Sequence, residues 1–121
     1  MSEVGDRIKD VIENEQVVLF MKGTPDMVMC GNSQRALDAL RNAGAPITAV
    51  DVLPDPEIRQ ELQAISGWPT IPQVFVKGEL IGGADIVEDM ERSGELEQTL
   101  AEKLGDNYWD GRGEQTVTLT S

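Results

Sequence analysis

The stretch "MKGTPDMVMCGNSQRALDALRNAG", positions 21 to 44, holds Cys30, the only cysteine of a chain that contains no histidine. A cysteine attacks or binds metal as thiolate, so its surroundings decide its chemistry. Ala36, Leu37, Leu40 and Ala43 recur at helical spacing and place a helix start near Cys30 or Gly31. A thiol at that start faces unpaired N–H groups and the positive end of the helix dipole, an effect of about 0.3–1 kcal/mol, rising to about 2 when partly buried. Lys22 adds positive charge across the loop, and Asp26 opposes it. A lone cysteine is more often a buried, inert small hydrophobe. The strand–loop–helix setting and the small neighbour Gly31 argue for a reactive one.

Two further segments carry chemistry. In "GWPTIPQVFV" a proline directly precedes a strand, which keeps Ile71 extended. A cis Ile71–Pro72 bond would fix a tight bend there. The Ile71 backbone can then pair with an extended peptide as a short added strand. In "IGGADIVED", Gly82 and Gly83 allow close backbone approach, and the helix start after them suits a carboxylate. Asp85 can cap that helix or hold an ammonium. Glycines in such a turn are usually only structural.

One cysteine and no histidine leave no zinc site of the usual kind within one chain, and no Cys–His hydrolase. No calcium-loop spacing occurs. The 121 residues suit one domain, and 40% apolar content suffices for a core. The formal charge of -12 disfavours nucleic acid and anionic membranes as partners. It reads first as a solvated surface. With only four lysines, it also fits adaptation to high salt, where repulsion is screened. No apolar run nears the roughly 20 residues of a membrane span. The first residues lack the basic start and apolar block of a secretory signal. A cytoplasmic, reducing compartment is expected.

These segments need a scaffold. Val4, Ile8, Val11 and Ile12 predict a helix over about 3–14, and "QVVLFM" a strand buried on both faces. Gly44 ends the helix after Cys30, and "ITAVDV" is the next strand. Asp55 caps a helix that has Pro56 in its first turn, Ile58, Leu62 and Ile65 in its buried stripe, and Gly67 at its end. "QVFVKGELIGG" is a hairpin about Lys77-Gly78. Asp85 and Glu88 have capping-box spacing, with Ile86, Val87 and Met90 facing a core. Gly94 interrupts before Leu96, Leu100 and Leu104. Residues 1–105 are thus expected to form one domain. Residues 106–121 form a mobile tail, with Tyr108 and Trp109 packed back. The α/β order α-β-α-β-α-β-β-α predicts a right-handed parallel unit plus an antiparallel hairpin: a four-stranded mixed sheet flanked by helices.

Together, "FMKGTPDMVMCGNS" and "WPTIPQVFVKGELIGGADI" resemble the monothiol glutaredoxin patterns MKG(T/S)PxxPxCGFS and WPTxPQxxxxGExxGGxDI, with "PEIRQEL" between them. The resemblance runs from about Val4 to Leu104 and implies a thioredoxin-like fold. It implies that Cys30 is the thiolate that ligates iron or attacks a disulfide. Lys22 and Arg59 match the cations that hold the glycine carboxylate of glutathione. Ile71, before the expected cis Pro72, matches the residue that pairs with the glutathione cysteine. Ala84 and Asp85 match the positions that receive its γ-glutamyl end.

The same resemblance implies where the missing ligands come from. A 2Fe-2S cluster takes four ligands, usually thiolates. Two copies of Cys30 and two glutathiones would supply them, in a homodimer that lasts while the cluster is bound and is monomeric without it. Iron-sulfur donor and acceptor proteins are the implied partners. Four departures bear on cluster stability and thiol identity. Asn32 replaces the family's Phe and Val28 its loop proline. Gln63 stands where a lysine often assists, and Ala84 replaces a frequent cysteine. If the acidic surface marks a halophile, another γ-glutamyl thiol could take the place of glutathione.

The leading reading is a cluster-transfer protein. The alternative is a glutathione-dependent thiol-disulfide oxidoreductase working through a mixed disulfide at Cys30, which needs no second cysteine. The CGNS segment, in place of a CPYC-type dithiol, favours the first. A third reading is a regulatory binding module without thiol chemistry.

Overall fold

The computed structural model describes residues 3–119. The apolar run after the first helix forms the central strand. Helix α1 (Glu3–Asn14) leads into β1 (Val17–Met21), in which all five residues are buried. Val17, Leu19 and Met21 point to one face of the sheet, and Val18 and Phe20 to the other. A strand fully buried in this way needs helices on both sides. Helices α2 (Gly31–Asn42), α4 (Ala84–Ser93) and α5 (Glu95–Leu104) cover the first face. Helices α1 and α3 (Pro56–Ser66) cover the second, over a core containing Phe20, Ile58, Leu62 and Phe75.

β1 runs parallel to β4 (Pro46–Asp51) and antiparallel to β5 (Gln73–Val76), which turns into β6 (Glu79–Gly82). The hairpin turns at Lys77 and Gly78, both at positive φ (48° and 84°), as the sequence predicts. Asp55 caps α3 by accepting from the Glu57 N–H at 2.9 Å, and Gly67 closes that helix at φ 72°.

Three expectations are corrected. Among the described residues, the main sheet has five strands, not four, in the order β6-β5-β1-β4-β7. The fifth, β7 (Gly113–Thr116), lies in the segment expected to be a tail and pairs parallel with β4. Its four residues are exposed, so no apolar alternation marks it. Backbone pairing holds it, together with a bidentate Arg41–Glu114 contact at 2.6 and 2.8 Å. Leu119 beyond it is buried in the α1–α3 core, and Arg7 donates to its carbonyl. The ring of Trp109 stacks on Gly44, and the Tyr108 hydroxyl donates to the Ala43 carbonyl at 2.8 Å. Both aromatic residues therefore pack back as expected.

Second, Asp85 and Glu88 form no capping box. Gly83 is the N-cap of α4, and both carboxylates turn to Arg35. Third, Ile86 is 41% exposed rather than in the core, packed over Gly82.

Candidate functional site

The chain leaves β1 at Met21 and enters a small hairpin of β2 (Gly23–Thr24) and β3 (Met27–Val28) that delivers Cys30 to the start of α2. Cys30 is the N-cap, in extended conformation. Three bonds fix this loop. The Met29 N–H donates to the Lys22 carbonyl at 2.9 Å, the Lys22 N–H donates to Ser33 Oγ at 3.0 Å, and the Gly23 N–H donates to Asp51 Oδ1 at 2.9 Å. Asp51 also accepts from the Leu53 N–H. Ser33 is fully buried. Sequence reasoning missed Ser33 and Asp51. The only signal for Ser33 was its place in the first turn of the helix that Cys30 caps.

The Cys30 thiol is half-buried and free. It makes no capping hydrogen bond, yet its pKa is lowered from the ordinary thiol value. The backbone N–H of Ser33 acts most strongly in favour of the anion. Partial burial opposes it; the Asn32 N–H, Lys22 and the Ser33 hydroxyl add to it. The amides at the helix start thus matter more than Lys22. Asp26, expected to oppose ionisation, acts on Arg41 and is not among the groups that shift the thiol.

Ser33→Ala tests this order. It strands the Lys22 N–H, at a cost of about 1–3 kcal/mol. It leaves both amides, so the pH midpoint of Cys30 alkylation should rise only part of the way toward an ordinary thiol. Alkylation rates across pH measure it, and a full return would make the hydroxyl the main cause. The lowered pKa also has a stability sign. The thiolate's contribution is complete above the unfolded-state value and is lost as pH falls through the folded value.

Two clefts flank the sulfur's loop. One, of about 350 Å³, is lined by Lys22, Leu53, Arg59 and Gln63 among others, so the two cations expected to act together do share a wall. The other, of about 490 Å³, is lined by Asn32, Arg35, Trp68, Ile71, Ala84 and Asp85 among others. The Ile71–Pro72 bond is cis. Among the described residues, no hydrogen bond engages the Ile71 N–H or carbonyl. The buried Gln73 side chain donates to the Trp68 and Thr70 carbonyls and so holds the segment leading to Ile71. The five predicted contact residues therefore fall into two groups, Lys22 with Arg59 and Ile71 with Ala84 and Asp85.

Asp85 is not free. Its Oδ1 lies 2.7 Å from Arg35 Nη2. Arg35 was also missed from the sequence, because its partners are 50 and 53 residues away. Among the described residues, no cluster of three or more His, Cys, Asp or Glu is placed to hold a metal, and no helix is long and apolar enough to cross a membrane. The described residues of one chain thus offer one thiol and no such cluster around it.

Known proteins resemble this chain in sequence and in fold. The glutaredoxin family model matches residues 17–81. Monothiol glutaredoxin-S11 of rice is 53% identical over 97 residues, which is 80% of this chain but only 20% of that protein's length. Glutaredoxin 4 of Haemophilus influenzae is 46% identical over 100 residues, 83% of this chain and 94% of that one. Among solved structures, a monomeric truncated mutant of Trypanosoma brucei 1-C-Grx1 superimposes with a TM-score of 0.76 at 44% identity, covering 85% of this chain and 94% of that one.

Proposed function

The chain belongs to the monothiol glutaredoxin family, and we propose that it binds glutathione or a related γ-glutamyl thiol and carries a 2Fe-2S cluster, as cargo, between proteins of a reducing cytoplasm. One observation carries this reading. A thiol biased toward thiolate stands between a cationic cleft and a second cleft with an unpaired backbone edge, in a chain with no other thiol and no imidazole. Lys22 and Arg59 would hold the thiol's terminal carboxylate. The Ile71 backbone would pair with its middle residue, and the Ala84–Asp85 helix start would receive its amino-acid end. The tripeptide sulfur would then lie beside Cys30.

The residues fit such cargo only in part, and that is informative. Cys30 supplies one soft ligand, the bound tripeptide a second, and a second copy of the chain the remaining pair. Half of the ligands are then small molecules, so exchange with an acceptor's thiols needs no unfolding. The expected species is a cluster-bridged homodimer that reverts to monomer on release.

The lowered thiol pKa favours a second reading by itself. Cys30 thiolate attacks the glutathione sulfur of a mixed disulfide, the substrate thiolate leaves, and a second glutathione thiolate releases Cys30 as glutathione disulfide forms.

Anaerobic reconstitution with iron, sulfide and glutathione separates the two. Cluster carriage predicts visible-range absorbance and a doubled mass in solution, both dependent on glutathione. A colourless monomer with high turnover on a glutathionylated substrate would replace it with the oxidoreductase reading.

A further inference from the structure

Arg35 leaves α2 five residues after Cys30 and reaches across to α4. Its Nη2 lies 2.7 Å from Asp85 Oδ1 and 2.8 Å from Glu88 Oε1, and its Nε lies 3.3 Å from Glu88 Oε2. Its Nη1 donates to Asn32 Oδ1 at 3.1 Å. Asn32 therefore braces a guanidinium at the cleft wall rather than lending an aromatic surface. Glu88 is shared with Arg92 at 3.2 Å, and Arg92 also lies 3.8 Å from Asp89, so two guanidiniums meet three carboxylates. Guanidinium has five N–H donors. These contacts use four of them, and one Nη1–H has no partner among the described residues.

We propose that Arg35 is a specificity-determining residue, which forms with Asp85 a plus–minus pair selecting a ligand end that carries an α-ammonium and an α-carboxylate together over one that carries the ammonium alone. This rests on the reading of the cleft as a γ-glutamyl thiol site. An ammonium arriving by itself must share Asp85 with a fixed cation a few ångströms away. An amino-acid end brings its own carboxylate, which takes the spare Nη1–H while its ammonium takes Asp85. The four charges then alternate, and no cation is left facing another.

The test uses the whole chain and two symmetric disulfides, that of glutathione and that of 4-aminobutyryl-cysteinyl-glycine, which lacks only the α-carboxylate. Each attack joins Cys30 to one half and releases the other half as thiolate, so intact mass gives the rates. The native protein should prefer the glutathione disulfide by about tenfold. Arg35→Gln should slow glutathione disulfide and, by removing the cation that competes for Asp85, speed the analogue, by about threefold each, bringing the ratio near one. Arg35→Lys should restore part of it. Arg92→Gln, which removes the same charge from the cluster without touching Asp85, should keep the native ratio. If Arg35→Gln slows both disulfides equally, Arg35 merely ties α2 to α4 and the inference is overturned. An unchanged ratio, or a native protein without preference, overturns it too. If Cys30 reacts with neither tripeptide disulfide faster than with hydroxyethyl disulfide, the γ-glutamyl reading itself falls.

Discussion

Cys30→Ser is expected to abolish both cluster assembly and mixed-disulfide formation while leaving the fold intact. A serine hydroxyl stays protonated at neutral pH and is a hard donor, unsuited to the soft thiolate role in iron-sulfur ligation. The chain has no other thiol and no imidazole to replace it. Absorbance after reconstitution should fall to that of the protein-free mixture, and the mass in solution should remain that of one chain. Stability should hold or rise by a few tenths of a kcal/mol. Cys30 is the N-cap of α2, a position that serine fills well and at which the thiol makes no capping bond. A coloured dimer from Cys30→Ser would mean that the ligand lies elsewhere and that the clefts beside Cys30 serve another purpose.

The sequence made much of this legible, wherever a residue's reason is local. Asp55 and Pro56 announce α3 because cap and first turn are adjacent in sequence. Lys77-Gly78 announces the hairpin because its turn requires positive φ at both residues. Val17–Met21 reads as a buried strand because both faces are apolar. Reasoning failed where the reason is distant. Glu88 has capping-box spacing, but Arg35 across the cleft outcompetes the helix N-terminus for it. Gly113–Thr116 shows no strand pattern, since a strand on the sheet edge buries none of its side chains and is held by β4 and Arg41. The site divides in the same way. Lys22, Arg59, Ile71, Ala84 and Asp85 came from motif resemblance, and the structure gathers them into two clefts. Ser33, Asp51 and Arg35 set the thiol's environment and the cleft's charge through partners 11 to 53 residues away, which no local pattern records.

Gly23→Ala tests whether that framework sets the chemistry. Gly23 has φ 94°, a region costly for any residue with a Cβ. An added Cβ would collide with the Met27 carbonyl oxygen and lie 2.8 Å from the Met29 amide nitrogen. These neighbours are backbone, so they cannot swing aside. Relief would have to spread the β2–β3 hairpin or break the Gly23–Asp51 and Met29–Lys22 bonds, and Cys30 is the next residue along. The conformational cost is about 1–3 kcal/mol, with the collision added to it, so a total loss of about 2–4 kcal/mol is expected in denaturant unfolding. The chemical consequence should appear in the same variant. As Cys30 moves off the Ser33 and Asn32 amides, its alkylation midpoint should rise toward that of an ordinary thiol. Gly31→Ala is the matched control, because a Cβ there meets nothing within 4 Å and the backbone is not at positive φ. It lies on the other side of Cys30 and should change neither stability nor midpoint appreciably. If Gly23→Ala behaves like Gly31→Ala in both measurements, the hairpin is not what aims the sulfur. If stability falls but the midpoint stays, the helix start alone sets the thiolate, and the loop contributes only to folding.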